Sequence, residues 1–118
     1  MKNGPFLTRL AYAVNGCKTA FSKEASFRTQ IIAGVFTIIA TAIISPSFTW
    51  WAIIALTIAL VLAAELINTA LESLLDGLHP QHAEFVKNAK DCAAAAVFVL
   101  SAASVAIFVL MLIDSRIR

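Results

Sequence analysis

The 118-residue sequence predicts an all-α membrane protein: three transmembrane helices preceded by an amphipathic helix on the membrane surface. Three observations carry this. The chain is 60% hydrophobic and only 14% charged, where soluble domains hold about a quarter charged residues. A soluble core could not hide that much apolar surface at this length, whereas lipid can cover it. Finally, the apolar residues gather into three stretches free of charge, each long enough to span a bilayer, which takes about 20 residues.

The elements follow in order. Over residues 5–22, at about 100° per residue, Phe6, Leu10, Val14, Cys17 and Phe21 fall on one narrow face. Asn15 lies opposite, with Arg9 and Lys18 on the flanks. That pattern suits a helix in the membrane interface with its basic side chains among phosphate headgroups. Span one is expected over 27–46; Pro46 ends it, because a residue before proline is disfavoured in the helical region. Ser47 or Thr49 can cap span two, expected over 49–76. Gly77, His79 and Pro80 break the chain before span three, expected over 90–113. No internal repeat, low-complexity tract or second domain is evident, and no compact apolar region after the first lysine marks a signal peptide.

Lysine and arginine counting orients the spans. Three spans place the N-terminus and the 76–91 loop on one side, which then holds Lys2, Arg9, Lys18, Lys23, Arg28, Lys87 and Lys90. The other side holds Arg116 and Arg118. The N-terminus and the 76–91 loop are therefore expected in the cytoplasm, and Trp50 and Trp51 at the outer interface, where tryptophan is favoured.

Span two carries an anomaly. Within "AELINTALESLLDGL", Asn68, Glu72 and Asp76 follow Glu65 at offsets of three, seven and eleven, which returns all four to one helix face. The helical rise sets Glu65 about 10 Å deeper than Glu72. Charge inside a bilayer costs several kcal/mol, so such residues face a bundle interior, a partner or water. The competing structural reading has Asn68 joining helices while Glu72 and Asp76 sit solvated among headgroups. Glu24 lies just before span one, four residues from Arg28, a spacing that also suits a local ion pair. Lys90 and Asp91 open span three, where flanking charge is ordinary. Magnesium takes oxygen ligands, usually one or two carboxylates plus substrate phosphates. Glu24 and Glu72 could meet at one membrane level and serve this way, with Lys90 near a phosphate.

Other chemistries find less support. Cys17 and Cys92 fit no metal or redox spacing and read as small apolar fillers. His79 and His82 form H-x-x-H, but Pro80 interrupts any regular helix and no third ligand is near, so a solvated loop is expected. No basic patch interleaves with aromatics, which argues against nucleic acid. Neither a G-x-x-x-x-G-K-[ST] loop nor G-x-G-x-x-G is present.

The segments "KEASFR", "ELINTALESLLD" and "NAKDCAAAAV" resemble, in order and spacing, the signature segments of the bacterial integral-membrane diacylglycerol kinase family, which also includes the undecaprenol kinases. The resemblance runs from about Tyr12 to Ile113. It implies a homotrimer of three-span subunits with active sites between subunits at the cytoplasmic interface of the inner membrane. ATP with Mg2+ would phosphorylate a lipid hydroxyl. By this resemblance Glu65 matches a general base, Asn68 a polar active-site residue, and Glu72 and Glu24 the metal-binding carboxylates. Lys90 matches a phosphate-contacting lysine and Asp91 a supporting acid. Arg28 matches an active-site arginine, while Asp76 and Tyr12 match residues near the nucleotide. The chain departs from the pattern at Gln30, where many members carry a carboxylate, at Val86 and Lys87, where some carry serine and glycine, and before Tyr12, where Arg9 is out of register with an expected arginine.

The resemblance implies diacylglycerol as the leading acceptor, with undecaprenol as the alternative. A non-catalytic small membrane protein, such as a holin or accessory subunit, shares the length and span count but does not need the carboxylate ladder. Intramembrane carboxylates also occur in ion-coupled transporters, although three short spans without a repeat argue against one.

Overall fold

A computed structural model describes residues 4–117. Lys2 and Arg118, two of the cations used for orientation, lie outside the described residues. The described residues form four helices: α1 (Phe6–Lys23), α2 (Ala25–Ile44), α3 (Phe48–Leu78) and α4 (Glu84–Ile117). Among the described residues there is no strand. The last three helices are each long and apolar enough to cross a membrane.

Helices α1 and α2 are separated by one residue, Glu24, in an extended conformation. No glycine or proline marks this break. The guanidinium of Arg28 stabilises it by donating to the carbonyls of Phe21 and Ser22 at the end of α1, where helix termination leaves acceptors unsatisfied. Arg28 is thus committed to this joint, and among the described residues it forms no ion pair with Glu24. On α1, Ala20 is buried, while the apolar face of Phe6, Leu10, Val14, Cys17 and Phe21 is left uncovered by the rest of the chain.

Pro46 ends α2 as expected, with a difference in detail. Ser45 adopts a left-handed conformation (φ 55°, ψ 55°) and donates its backbone N–H to Thr41 O at 2.9 Å, closing the helix as an αL cap does. Ser47 occupies the N-cap of α3, though its hydroxyl makes no capping bond, and Thr49 lies inside the helix.

Helices α3 and α4 run well past their apolar stretches. At 1.5 Å per residue, 31 and 34 residues extend about 47 and 51 Å, against about 30 Å of hydrocarbon. Gly77 is tolerated in the last turn of α3, and the break falls at His79. The loop narrows to residues 79–83, so that Lys87, Lys90 and Asp91 stand on the opening turns of α4 rather than in a connection. His79 Nδ1 lies 3.1 Å from Gln81 O and the ring packs edge-on against Phe85, which fits the loop reading of this segment.

Side-chain bonds at the two ends show that the three long helices alternate in direction. Ser26 at the start of α2 meets Glu65 toward the end of α3, and Lys90 at the start of α4 meets Asp76. At the opposite end Trp50 Nε1 donates to Asp114 Oδ2 at 2.8 Å, joining the start of α3 to the end of α4. The inward stripe of α3 is Ile54, Thr57, Val61, Glu65 and Thr69, at the three- and four-residue spacing of one helix face. Buried Gly34 lets α2 approach this stripe; a Cβ there would stand 3.3 Å from Ile58 Cγ2. Few side chains are buried, and large apolar ones such as Ile43, Phe48 and Phe98 point outward, as a lipid-covered surface requires. Cys17 and Cys92 are free thiols on the outside of their helices, not interior fillers, because the small core leaves most helix faces uncovered.

Candidate functional site

Glu65, Asn68, Glu72 and Asp76 line one side of α3 with burial that falls toward its end. Glu65 is 2% exposed, Asn68 and Glu72 are half-buried, and Asp76 is exposed. Glu65 belongs to the inward stripe, so its carboxylate is held between helices. Ser26, on the first turn of α2, donates to Glu65 Oε2 at 2.7 Å. Three residues on, Asn68 Nδ2 donates to Glu72 Oε1 at 2.7 Å. Among the described residues the buried Asn68 Oδ1 acceptor has no hydrogen-bond partner, a costly state for a polar atom. At the outer rung Lys90 Nζ bonds Asp76 Oδ1 at 2.6 Å, joining α4 to α3.

Glu24, at the α1–α2 break, faces the same ladder. Burial, and then the negative charges of Glu72, Glu65 and Asp76, hold the Glu24 carboxyl above the usual carboxylate range. Four acidic groups with one lysine among them form a site in want of positive charge. Among the described residues no group of three or more His, Cys, Asp or Glu side chains could hold a metal ion. Within one chain Glu24 and Glu72 are near enough for the charge of one to act on the other, and a pair of carboxylates is a donor set of the kind magnesium takes alongside water and substrate phosphate.

The raised Glu24 pKa has a stability consequence. The folded state keeps the Glu24 proton to higher pH than the unfolded chain does, so stability falls as pH rises through that interval. In cation-free protein at pH 7, Glu24→Gln is expected to raise the Tm, and the difference from wild type should shrink as the pH is lowered. Thermal unfolding in detergent with chelator, across a pH series, measures both.

Other residues singled out in the sequence lie apart from the ladder within one chain. Asp91 pairs with Lys87 at 2.7 Å on the exposed side of α4. Tyr12 is exposed on α1, about 12 Å along the helix from Ala20. Arg28 serves the α1–α2 joint. Conversely, the sequence reading passed over Ser26. It lies inside "KEASFR", two residues after Glu24, but which α2 residue faces Glu65 depends on how the helices pack.

One turn deeper than Glu65, a cavity of about 420 Å3 opens between α2 and α4 over the face of α3. Its lining is mostly apolar, including Ala40, Val61 and Phe108, with the hydroxyls of Thr37, Thr57 and Ser104 bonded back to their own helices; Gln30 and Ser101 stand at the end nearer Glu65 and bond to each other at 3.2 Å. From Gln30 to Ala40 the groove extends about 15 Å along α2. A carboxylate ladder thus adjoins a hydrocarbon-lined groove, an arrangement able to hold charged and oily groups side by side.

Residues 11–112 match the family described as prokaryotic diacylglycerol kinase. A diacylglycerol kinase of Synechocystis sp. is 39% identical over 100 residues, covering 84% of this chain and 57% of its own length. One from Sinorhizobium sp. is 35% identical over 94 residues, covering 80% of this chain and 68% of its own. An undecaprenol kinase of Bacillus subtilis is 31% identical over 99 residues, covering 84% and 80%. The chain thus spans little more than half the length of its Synechocystis relative. With the match extending through every helix that bears the ladder and its partners, the chain belongs to the prokaryotic diacylglycerol kinase family.

Proposed function

We propose that this multi-pass membrane protein transfers the γ-phosphoryl group of ATP, with magnesium, to the hydroxyl of a membrane lipid, most simply diacylglycerol, giving phosphatidic acid. The observation that carries the reading is Glu65: a carboxylate 2% exposed, at the deep end of an acidic ladder and one turn above an apolar groove. The alcohol of a lipid cannot leave the interface, so a group that takes its proton must lie just below the headgroups. Phosphoryl transfer otherwise needs positioning and neutralisation of charge. Glu24 and Glu72 would hold the magnesium, which supplies that neutralisation together with Lys90. Asp76 and Tyr12 would lie near the nucleotide, and Arg28 and Asp91 would support the site.

Undecaprenol is the second reading, favoured by the Bacillus subtilis relative; the Synechocystis and Sinorhizobium relatives favour diacylglycerol. Assaying purified protein with ATP and each lipid, with Glu72→Gln as negative control, tests both. Lipid-dependent ATP consumption should appear with one acceptor far above the other. Its absence with either lipid, accompanied by membrane leakage, would favour a non-catalytic pore.

The groove would take the hydrocarbon of the acceptor. Ala40→Phe, at its far end, is expected to raise the KM for long-chain acceptors several-fold and to leave short-chain acceptors near wild type. An equal effect at every chain length would remove the groove from the binding site.

The assembly in this reading is a homotrimer in the cytoplasmic (inner) membrane, with the N-terminus cytoplasmic and active sites between subunits. Tyr12 and Asp91, which lie apart from the ladder within one chain, support completion by a neighbour. The uncovered apolar face of α1, flanked by Arg9 and Lys18, supports a surface position at the cytoplasmic leaflet.

A further inference from the structure

We propose that Ser26 is a positioning residue for the phosphoryl-transfer reaction, holding the Glu65 carboxylate in the orientation from which it takes the proton of the lipid hydroxyl. The inference rests on the lipid-kinase reading and adds a role for a residue outside the carboxylate ladder.

The bond is unusual within this chain. Serine and threonine hydroxyls inside helices commonly turn back on the carbonyl three or four residues earlier. Thr19, Ser22, Thr37, Thr41, Thr57, Thr69 and Ser104 all do so here. Ser26 instead donates across 39 residues of sequence to a carboxylate on another helix. The α1–α2 break makes this possible. Ser22, four residues earlier, belongs to α1, and its carbonyl and that of Phe21 accept from Arg28. The chain leaves α1 at Glu24, so the first turn of α2 turns its hydroxyl toward α3.

The chemical effect follows from which oxygen is engaged. A glutamate has three side-chain torsions, and on α3 only its own helix and its neighbours restrict them. Ser26 fixes Oε2 at 2.7 Å and leaves Oε1 to receive the proton. Thr69 adds a bond to the Glu65 backbone carbonyl at 2.9 Å, which steadies the helix without touching the carboxylate. Orientation of a reacting group to within about 1 Å can change rate by a hundredfold, and one hydrogen bond to a charged group corresponds to roughly a tenfold effect or more.

Steady-state kinetics with diacylglycerol in mixed micelles and ATP test the role in wild type, Ser26→Ala, Ser26→Thr, Glu65→Gln and the double variant Ser26→Ala/Glu65→Gln. Ser26→Ala should lower kcat about tenfold, with both KM values within about twofold of wild type. Ser26→Thr, which keeps the hydroxyl, should recover kcat to within about threefold of wild type. In the Glu65→Gln background, Ser26→Ala should add less than about a twofold loss, because the two residues act as a unit. Ser26 is exposed on a first turn and alanine is a good helix former, so folding should survive; an unchanged elution profile confirms it. Wild-type kcat in Ser26→Ala, no recovery with threonine, or the same tenfold loss repeated in the Glu65→Gln background would each overturn the proposal. Failure of the kinase reading shows separately, as no lipid-dependent turnover in wild type or full turnover in Glu65→Gln alone, and the role of Ser26 falls with it.

Discussion

Glu72→Gln is expected to lower lipid-dependent phosphoryl transfer by at least about a hundredfold, the scale seen when one preorganised electrostatic contact to a transition state is lost. The substitution is close to isosteric. A glutamine at this position can still accept the Asn68 Nδ2 bond that Glu72 Oε1 now receives at 2.7 Å, so the fold around it should persist. What disappears is the negative charge, and with it half of the two-carboxylate set that Glu24 completes. Two readouts separate this from general damage. The magnesium concentration needed for half-maximal rate should rise together with the loss of kcat. The Tm of the cation-free protein should hold or increase, because Glu72 is the largest of the charges acting on Glu24. A variant with wild-type rate at wild-type magnesium would remove Glu72 from the site.

The spans were legible because lipid imposes one strong rule, long runs without charge, and the chain obeys it. The face shared by Glu65, Asn68, Glu72 and Asp76 was legible because all four lie on one unbroken helix, where spacing alone sets direction. Their graded burial, from 2% exposure at Glu65 to an exposed Asp76, follows the expected order of depth. Contacts between helices were less accessible. Nothing in residues 23–29 tells whether Ser26 or Thr29 faces α3, because that depends on the one-residue break at Glu24. The opening turns of α4 were hidden for a different reason. Residues 84–91 carry four charges in eight positions, which reads as a solvated connection, yet Lys87–Asp91 and Lys90–Asp76 bonds support them as helix above the apolar run.

The same contrast explains why Asn68 and Lys90 matter beyond their own bonds. Asn68 joins its donor to Glu72 and keeps an unsatisfied buried Oδ1, while Lys90 is held by Asp76. In the proposed reaction, rearrangement of one partner would leave the other free to engage a phosphate, a cation or a lipid hydroxyl. Stability is spent at such positions in enzymes generally, and the ladder has its least comfortable atoms beside its most buried carboxylate.

Glu65→Gln tests that trade directly, and the two halves of the expected result point in opposite directions. Turnover should fall by roughly 10²-fold, the lower end of what a general base contributes, because a loose phosphoryl-transfer transition state places limited demand on proton removal. The KM for the lipid should change little, since the groove and the headgroup level are untouched. Stability should rise, because a carboxylate 2% exposed is replaced by a neutral amide whose oxygen can still accept from Ser26. Glu65→Asp draws the same charge back by one methylene and should lose activity without that gain in Tm. A site that only joined helices would give the reverse order for glutamine, with turnover preserved and no pattern in the kinetics. Measuring kcat, KM and Tm on the same preparations of both variants therefore distinguishes a base held ready from a buried charge retained for packing.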